Sequence, residues 1–281
     1  MARIQPSTTR NTPDRHPTGE PRRTERDRAR RTLSQNFLTD PRVVESLVRL
    51  ARPRPTDLLI EVGAGRGVLT EALAPHCRTL VAYEVDPRLI DGLRTRLRPY
   101  PQVRVVRQDF LTAVAPDTPF AVVANVPYAR TSEVVRWCLR APRLTSATLL
   151  TQWEYARKRS GDYGRWSLLT VRSWPEVEWR LCGRVARTAF RPVPRVDGGL
   201  LRLTRRPEPL LGTSADRAAY ARLVDLGFSG VGGSLHASLR RACPTRTLDQ
   251  AFHRAGLRRD VVVAQVTPNQ WLTLYRAVAR R

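Results

Sequence analysis

A cluster of three glycines directly after an apolar run limits what this chain can fold into more than any other feature. Leu58-Leu59-Ile60 is followed by Glu61-Val-Gly63-Ala-Gly65-Arg-Gly67. Glycines at alternate positions after a buried strand are typical of a strand-to-helix turn in which the backbone approaches a ligand closely. Because a tight turn without a ligand can show the same pattern, the cluster alone predicts an α/β unit and not yet a site.

Three further strands are predicted downstream, and each leads to a polar side chain. Leu80–Glu84 ends in a carboxylate 21 residues after Gly63, where an acid can accept hydrogen bonds from both hydroxyls of a ribose. Val103–Asp109 ends in a second acid, suited to an adenine amino group, and Ala121–Ala124 is followed by Asn125. A lone acid of this kind is more often a solvated turn residue. The ordered series favours a nucleotide-like ligand at one edge of a doubly wound, mainly parallel sheet.

The tetrapeptide Asn125-Val126-Pro127-Tyr128 carries the most specific chemistry in the chain. A carboxamide and a backbone carbonyl at a strand end can accept hydrogen bonds from an exocyclic amine. The proline makes the turn rigid, and the aromatic ring can stack on a purine. The tetrapeptide therefore predicts a site that acts on an adenine amino group. An aromatic core position is the alternative interpretation of Tyr128.

With these motifs the chain resembles the rRNA adenine N6-methyltransferases, which use S-adenosylmethionine. Gln35-Asn36-Phe37-Leu38 is similar to the family's amino-terminal cofactor motif, and Phe190-Arg-Pro192-Val-Pro194-Arg-Val-Asp197 is similar to its Phe-x-Pro-x-Pro-x-Val-Asp segment. The resemblance runs from about Leu33 to Arg205, with a looser match to the end of the chain. Within the family the chain is most similar to the Erm branch, which methylates 23S rRNA and confers resistance to macrolides, lincosamides and streptogramin B.

The resemblance implies an architecture and two sets of site residues. The expected fold is a Rossmann-like α/β methyltransferase domain over residues 32–205, with a small helical RNA-binding domain over residues 206–281. The positions that match the family's cofactor contacts are Asn36, Leu38, Gly63, Glu84, Asp109 and Asn125. The positions assigned to the target base are Asn125, Val126, Pro127, Tyr128 and Phe190. In this interpretation Tyr128 stacks on one face of the extruded base. Phe190 is a candidate to contact the opposite face of the base, and the alternative interpretation of Phe190 is a core residue.

One departure from the family pattern follows the aromatic residue of the tetrapeptide. Ala129-Arg130 stands where many relatives carry Asn and then an apolar residue. The change leaves Asn125 and Tyr128 in place, so it affects substrate detail and not the expected chemistry.

The charge balance indicates the class of partner. The chain has 49 basic and 25 acidic residues, a formal net charge of +24, which favours a polyanion. The sequence contains no apolar run of about 18 residues and no signal peptide, so a nucleic acid, here 23S rRNA, is preferred to a membrane surface, and a cytoplasmic location is expected.

Four dispersed cysteines and four histidines give no metal-ligand spacing, so no metal is expected. The protein is expected to be a monomer.

The ends of the chain lead to local predictions. Residues 1–31 hold nine arginines, four acids and four prolines without apolar periodicity, so they are expected to be disordered, either as an RNA-contacting arm or as an inert tail. Asp40-Pro41 predicts an N-cap and first-turn proline for a helix through Leu50. Thr247-Leu-Asp-Gln250 and Thr267-Pro268-Asn-Gln270 predict capping boxes.

Two other functions remain open on sequence alone. A small-subunit rRNA dimethyladenosine transferase of the KsgA type carries the same motifs. A nucleic-acid-binding relative without turnover could also retain the fold, although the intact tetrapeptide argues against it.

Overall fold

The computed structural model describes residues 36–279. The predictions for residues 1–31 lie outside the described residues. The strands are β1 (Phe37–Leu38), β2 (Leu58–Val62), β3 (Thr79–Glu84), β4 (Val103–Arg107), β5 (Phe120–Asn125), β6 (Leu144–Gln152), β7 (Val177–Val185), β8 (Phe190–Arg191) and β9 (Gly198–Arg205). The helices are α1 (Pro41–Ala51), α2 (Val68–Leu73), α3 (Pro87–Leu97), α4 (Thr131–Arg140), α5 (Trp153–Ser160), α6 (Leu168–Ser173), α7 (Ser214–Gly227), α8 (Leu235–Leu239), α9 (Thr245–Arg254) and α10 (Pro268–Ala279).

Seven of these strands form one sheet in the order β4-β3-β2-β5-β6-β9-β7. The first five strands in this order run parallel, whereas β9 is antiparallel to both β6 and β7. Helices follow β2, β3 and β5 along the chain, and a single 3₁₀ turn, Phe110–Thr112, lies between β4 and β5. The expected Rossmann-like α/β fold is confirmed. The strand order reverses between β2 and β5, and ligands of such sheets bind in the crevice outside the carboxyl ends of strands at this reversal.

A second, two-stranded sheet joins two motifs that lie about 150 residues apart. β1 and β8 pair antiparallel, with Leu38 opposite Phe190 and Phe37 opposite Arg191. Thr39 extends the pairing, because its backbone N–H and its hydroxyl both donate to the carbonyl of Ala189, at 2.9 and 3.1 Å. The amino-terminal motif and the Phe-x-Pro-x-Pro motif therefore form one structural unit.

Helix α1 begins and ends close to the predicted positions. The Asp40 side chain caps it by accepting a hydrogen bond from the Arg42 backbone N–H at 2.9 Å, and Pro41 is its first residue. Val44 and Leu47 are buried on the face that packs against the sheet. The helix ends at a left-handed residue, Arg52, with φ of +51°.

Helices α7 to α10 follow Arg205 and share an apolar core. Tyr220, Phe252 and Trp271 are buried in it together with Val171 of α6. Since α6 precedes Arg205, this core extends across the predicted boundary, and the division into domains at Arg205 stays a prediction. Within residues 36–279, no helix combines the length and apolarity that crossing a membrane requires.

The two predicted capping boxes have different outcomes. Thr267 and Gln270 form a reciprocal cap at the start of α10: the Gln270 side chain accepts from the Thr267 backbone N–H at 3.0 Å, and the Thr267 hydroxyl accepts from the Gln270 N–H at 3.3 Å. The prediction for Thr247 was wrong. Helix α9 begins at Thr245, after Pro244, so Thr247 is already inside the helix and buried.

Candidate active site

The glycine cluster forms the turn between β2 and α2. Gly63, Gly65 and Gly67 have φ of +72°, +57° and +80°, the left-handed region that favours glycine. A Cβ placed on Gly65 would lie 3.2 Å from the ring of Phe37, so the amino-terminal motif packs directly on this turn. The guanidinium of Arg66 covers the same ring at 4.8 Å from its centroid.

Glu84 ends β3 beside this turn, and its carboxylate is held by backbone groups. It is buried, and it accepts hydrogen bonds from the N–H groups of Gly65 (2.7 Å), Val85 (2.8 Å) and Asp86 (2.8 Å). Three of the roughly four acceptor positions of a carboxylate are therefore occupied. The remaining position, on Oε2, suits one ribose hydroxyl, and a second hydroxyl requires that one of the three N–H groups be displaced.

Glu61 is a buried acid to which sequence analysis assigned no role. It lies on β2 next to the glycine turn, and only 2% of its surface is exposed. Burial, together with the nearby charge of Glu84, raises the pKa of Glu61 to about 8. The Thr70 hydroxyl lies close enough to Glu61 to oppose this rise in pKa, but by hydrogen-bond geometry neither it nor Glu61 Oε2 has a partner in the described part of the chain. The motif spacing marks Glu61 as part of the turn, but burial of its carboxyl depends on tertiary packing.

Asn125 connects the tetrapeptide to the amino-terminal motif. Its side-chain Nδ2 donates a hydrogen bond to the backbone carbonyl of Asn36 at 2.9 Å. This bond fixes the orientation of the carboxamide. Oδ1 receives no donor from residues 36–279, so it is the acceptor that the side chain offers to a ligand.

The next two residues pack the tetrapeptide against the sheet and the glycine turn. Val126 is buried, and its backbone N–H donates to Leu150 of β6 at 3.0 Å. A Cβ placed on Gly63 would lie 3.7 Å from Pro127 Cδ, so the two turns are in close contact. The carboxyl ends of β2 and β5 therefore meet where the sheet topology predicts a ligand.

Tyr128 has a buried hydroxyl without a hydrogen-bond partner among the described residues. Burial, and after it the negative charge of Asp197, raises the pKa of this hydroxyl to about 12. The ring of Phe190 meets the Tyr128 ring edge to face, with centroids 6.4 Å apart. Phe190 itself has no exposed surface, so in this structure it supports Tyr128 and does not face a free space. Its role on the opposite face of a base stays a prediction.

Asp109 lies after β4 and caps a single 3₁₀ turn. Its carboxylate accepts from the Leu111 backbone N–H at 3.0 Å, and Arg130 Nη2 approaches its other oxygen at 3.4 Å. Arg130 also forms an ion pair with Glu133. The residue that departs from the family pattern thus contacts an acid expected to bind the cofactor.

Asp197, the last residue of the Phe-x-Pro-x-Pro motif, organises the loop behind Tyr128. Its carboxylate accepts from the Arg187 backbone N–H at 2.8 Å and pairs with Arg184 at 2.6 Å. Its backbone carbonyl accepts from the Trp153 N–H at 2.9 Å. These bonds fix the segment that leads into β9 and that holds Phe190 next to Tyr128.

The geometry fits a nucleoside-bearing cofactor. The left-handed glycine turn lets the backbone approach a ligand, and Glu84 offers an acceptor from the end of β3 beside it. Asp109 offers a carboxylate from the end of β4. Between residues 36 and 279, no group of three or more His, Cys, Asp or Glu side chains could hold a metal ion.

Comparison with known proteins gives a consistent result. A sequence model of the family described as ribosomal RNA adenine dimethylase matches residues 26–280. An rRNA adenine N-6-methyltransferase of Streptomyces fradiae is 62% identical over 253 residues, which cover 89% of this chain and 79% of the relative. The crystal structure of the 23S rRNA methyltransferase ErmE has a TM-score of 0.85 and 46% identity, and the match covers 87% of this chain and all of that one. A ribosomal RNA small subunit methyltransferase A of Thermobifida fusca is 38% identical, with 75% of this chain and 77% of the relative covered.

Proposed function

Because the chain belongs to the ribosomal RNA adenine dimethylase family, we propose that it transfers methyl groups from S-adenosylmethionine to the N6 amine of an adenine in 23S rRNA. The observation that carries the proposal is the orientation of Asn125. Its Nδ2 donates to the Asn36 carbonyl, and its Oδ1, which receives no donor from residues 36–279, is left as an acceptor. This arrangement suits an exocyclic amine, which is a donor.

The large-subunit substrate is proposed over the small-subunit one on the degree of similarity. The 23S rRNA methyltransferase ErmE is 46% identical to this chain, and the small subunit methyltransferase A is 38% identical. The Erm branch, which the chain resembles, confers resistance to macrolides, lincosamides and streptogramin B. We therefore also propose that methylation by this protein protects ribosomes from these antibiotics.

The cofactor half of the site is proposed to bind and orient the methyl donor. Glu84 accepts from the ribose, and Asp109 accepts from the adenine amino group of the cofactor. Asn36, Gly63, Asn125 and the backbone of Leu38 complete the contacts. When bound, S-adenosylmethionine supplies an electrophilic methyl group. The glycine turn and the amino-terminal motif, in which Phe37 packs directly on Gly65, would shield the bound cofactor from water.

The tetrapeptide is proposed to prepare the target amine. The lone pair of an adenine N6 is delocalised into the ring. Hydrogen bonds from the amine to Asn125 Oδ1 and to the Val126 carbonyl favour a more pyramidal and more nucleophilic nitrogen. Tyr128 stacks on the extruded base, and Phe190 holds the Tyr128 ring from its edge. Catalysis then rests mainly on alignment of the nitrogen with the methyl carbon.

The proposal is tested by transfer of labelled methyl groups to protein-free 23S and 16S rRNA, followed by mapping of the modified adenine. We expect label on N6 of an adenine in 23S rRNA and none on 16S rRNA. Label on 16S rRNA alone would assign the protein to the small-subunit activity. No transfer to either RNA, with cofactor binding intact, would indicate a binding protein without turnover.

The resistance role has a separate test. Expression of the chain in a susceptible bacterium should raise the inhibitory concentrations of a macrolide, a lincosamide and streptogramin B together. The Asn125→Ala variant, expressed to the same level, is the matched control and should leave all three unchanged.

A further inference from the structure

Three arginines cluster on the side of the sheet that α1 covers, away from the candidate active site. Arg202 lies on β9 and is directly opposite Arg180 of β7. Arg52, the left-handed residue at the end of α1, is close enough to act electrostatically on Arg202. Like charges directly opposite each other on neighbouring strands destabilise a sheet. The cluster therefore needs a compensating interaction.

The polar groups of this cluster are not satisfied within the described chain. Arg202 Nη1 is buried and has no hydrogen-bond partner there, and Arg202 Nε reaches only the Thr204 hydroxyl, at 3.4 Å. The side chains of Arg52 and Arg180 form no ion pair with any residue between 36 and 279. Burial lowers the pKa of Arg202, and the positive charges of Arg180 and Arg52 lower it further.

A hydroxyl completes the row on the other side of Arg202. Thr148 of β6 is directly opposite Arg202 in the antiparallel pair, so both side chains project from the same face. Thr148 is 1% exposed, and its Oγ1 also lacks a hydrogen-bond partner in this part of the chain. Thr148, Arg202 and Arg180 thus form a row across three neighbouring strands, and two members of that row have unpaired buried polar atoms.

The acid on this face does not neutralise the row. Glu178 lies on β7 opposite Thr204, one row further along the sheet, and it is exposed. Its negative charge stabilises the charged form of Arg202, but it forms no ion pair with Arg202 or Arg180 among the described residues. A single exposed carboxylate leaves three guanidinium groups with an excess of positive charge.

We infer that Arg52, Arg180, Arg202 and Thr148 form a binding site for a phosphate group. Guanidinium groups form paired hydrogen bonds to phosphate oxygens, and an anion between two of them replaces their repulsion with attraction. A phosphate on the solvent side of the cluster pairs with the exposed Arg52 and Arg180 and with the half-buried Arg202. The Thr148 hydroxyl and Arg202 Nη1, which are buried and lack partners among residues 36–279, lie beneath it. The phosphate can come from an RNA backbone or from a free phosphate ester, and both have the same chemistry at this site.

Inorganic phosphate is the direct probe. Thermal unfolding of the full chain is followed while phosphate replaces chloride at constant ionic strength. Phosphate should raise the Tm of the wild-type protein, and Arg202→Gln and Arg180→Gln should each weaken the apparent phosphate affinity by about tenfold or more, as expected for loss of a charge-assisted hydrogen bond. Arg104→Gln is the matched control, because Arg104 is exposed on β4 at the opposite edge of the sheet. It should respond like the wild type.

The same variants test the repulsion within the cluster. In chloride alone, Arg202→Gln should unfold at the same temperature as the wild type or higher, because it removes a charge that two neighbours repel. Arg180→Gln is the second variant, since Arg180 is exposed and its replacement leaves Arg202 and the buried Thr148 in place. Equal phosphate responses in the wild type, Arg202→Gln and Arg180→Gln would overturn the inference.

A second measurement identifies the source of the phosphate. If the site holds an RNA phosphate, the log-log slope of RNA affinity against salt should lessen by about 0.7–0.9 in Arg202→Gln relative to Arg104→Gln. An unchanged slope, with the phosphate response present, assigns the site to a free phosphate ester. The assignment of the phosphate to RNA rests on the proposed function, whereas the phosphate site itself does not. The phosphate titration needs no methyl transfer, so failure of the site and failure of the proposed activity are separate results.

Discussion

The two halves of the candidate active site differ in how far the protein satisfies its own polar groups. In the cofactor half, which comprises the glycine turn, Glu84 and Asp109, backbone N–H groups fix both carboxylates. In the base half, which comprises residues 125–128 with Phe190, Asn125 Oδ1 and the Tyr128 hydroxyl have no partner among residues 36–279. Backbone hydrogen bonds fix the side chains of the cofactor half, whereas the base half has polar groups whose hydrogen bonds a ligand can supply.

This difference indicates how substitutions should act. Removal of a carboxylate from the cofactor half takes away a ligand contact and also an acceptor for backbone groups, so affinity and stability should change together. Truncation of a side chain in the base half takes away at most one internal hydrogen bond, that from Asn125 Nδ2 to the Asn36 carbonyl, so methyl transfer should change more than folding. Substitutions in each half therefore test whether cofactor binding and methyl transfer depend on separate groups of residues.

The largest effect is expected at Asn125. Asn125→Ala removes the acceptor that the target amine requires in the transition state, and it should lower kcat by about 10²–10³, the range for losing one preorganised hydrogen-bonding group. Single-turnover transfer of labelled methyl groups to 23S rRNA measures the change. A kcat within about threefold of the wild type would remove Asn125 from the base half, since that is far below the range for such a group.

Glu61 is an exception within the cofactor half, because it is a buried carboxyl with an unpaired oxygen. Its pKa is raised from 4.5 to about 8 in the folded chain. Between these values the unfolded chain loses the proton and the folded chain keeps it, so the free energy of unfolding falls as pH rises. From about pH 6 to about pH 8 the loss should be about 2–3 kcal/mol.

Glu61→Gln tests this assignment, because glutamine has the same shape and does not titrate. Urea unfolding of the wild type and of Glu61→Gln at the two ends of this pH range should show a smaller pH dependence in the variant and a more stable variant at the higher pH. Identical pH dependences in the two proteins would show that Glu61 is not the titrating group.

Glu84 should have the next largest effect, on cofactor affinity. Glu84→Ala should weaken S-adenosylmethionine binding by about 1–3 kcal/mol, because it removes a charged acceptor in a partly dry site. It should also lower the Tm, since three backbone N–H groups lose their acceptor. Titration calorimetry measures the affinity, with Glu45→Ala on the exposed face of α1 as the matched control. Unchanged affinity would exclude Glu84 from the site.

The smallest effect is expected from Tyr128→Phe. This change removes a buried hydroxyl that has no partner among the described residues and keeps the ring. The Tm should equal that of the wild type or exceed it, and the free energy of unfolding should rise by at most about 1 kcal/mol. Thermal unfolding measures the change. A clear loss of stability would mean that the hydroxyl is hydrogen-bonded in solution.

The features that could be predicted from the sequence depend on neighbours along the chain. Asp40 caps α1 because an acid before Pro41 suits a first helical turn. Glu84 and Asn125 lie at strand ends because each follows an apolar run of strand length. The prediction for Thr247 was wrong because α9 begins two residues earlier, at Thr245, directly after Pro244.

Features that depend on contacts between distant segments could not be read from the sequence. The pairing of Leu38 with Phe190 joins residues about 150 positions apart. The burial of Glu61 and the row of Thr148, Arg202 and Arg180 follow from the packing of the sheet and from strand register, and residue type alone indicates neither.

The separation of the two halves is tested most directly by measuring cofactor affinity and single-turnover methyl transfer for both Tyr128→Ala and Glu84→Ala. Tyr128→Ala should slow transfer by about 10–100-fold, as expected for lost stacking on a base, and should leave cofactor affinity unchanged. Glu84→Ala should weaken cofactor binding, and saturating cofactor should restore most of its transfer rate. Proportional loss of affinity and transfer in both variants would contradict the account and would make Tyr128 a structural residue of a single, undivided site.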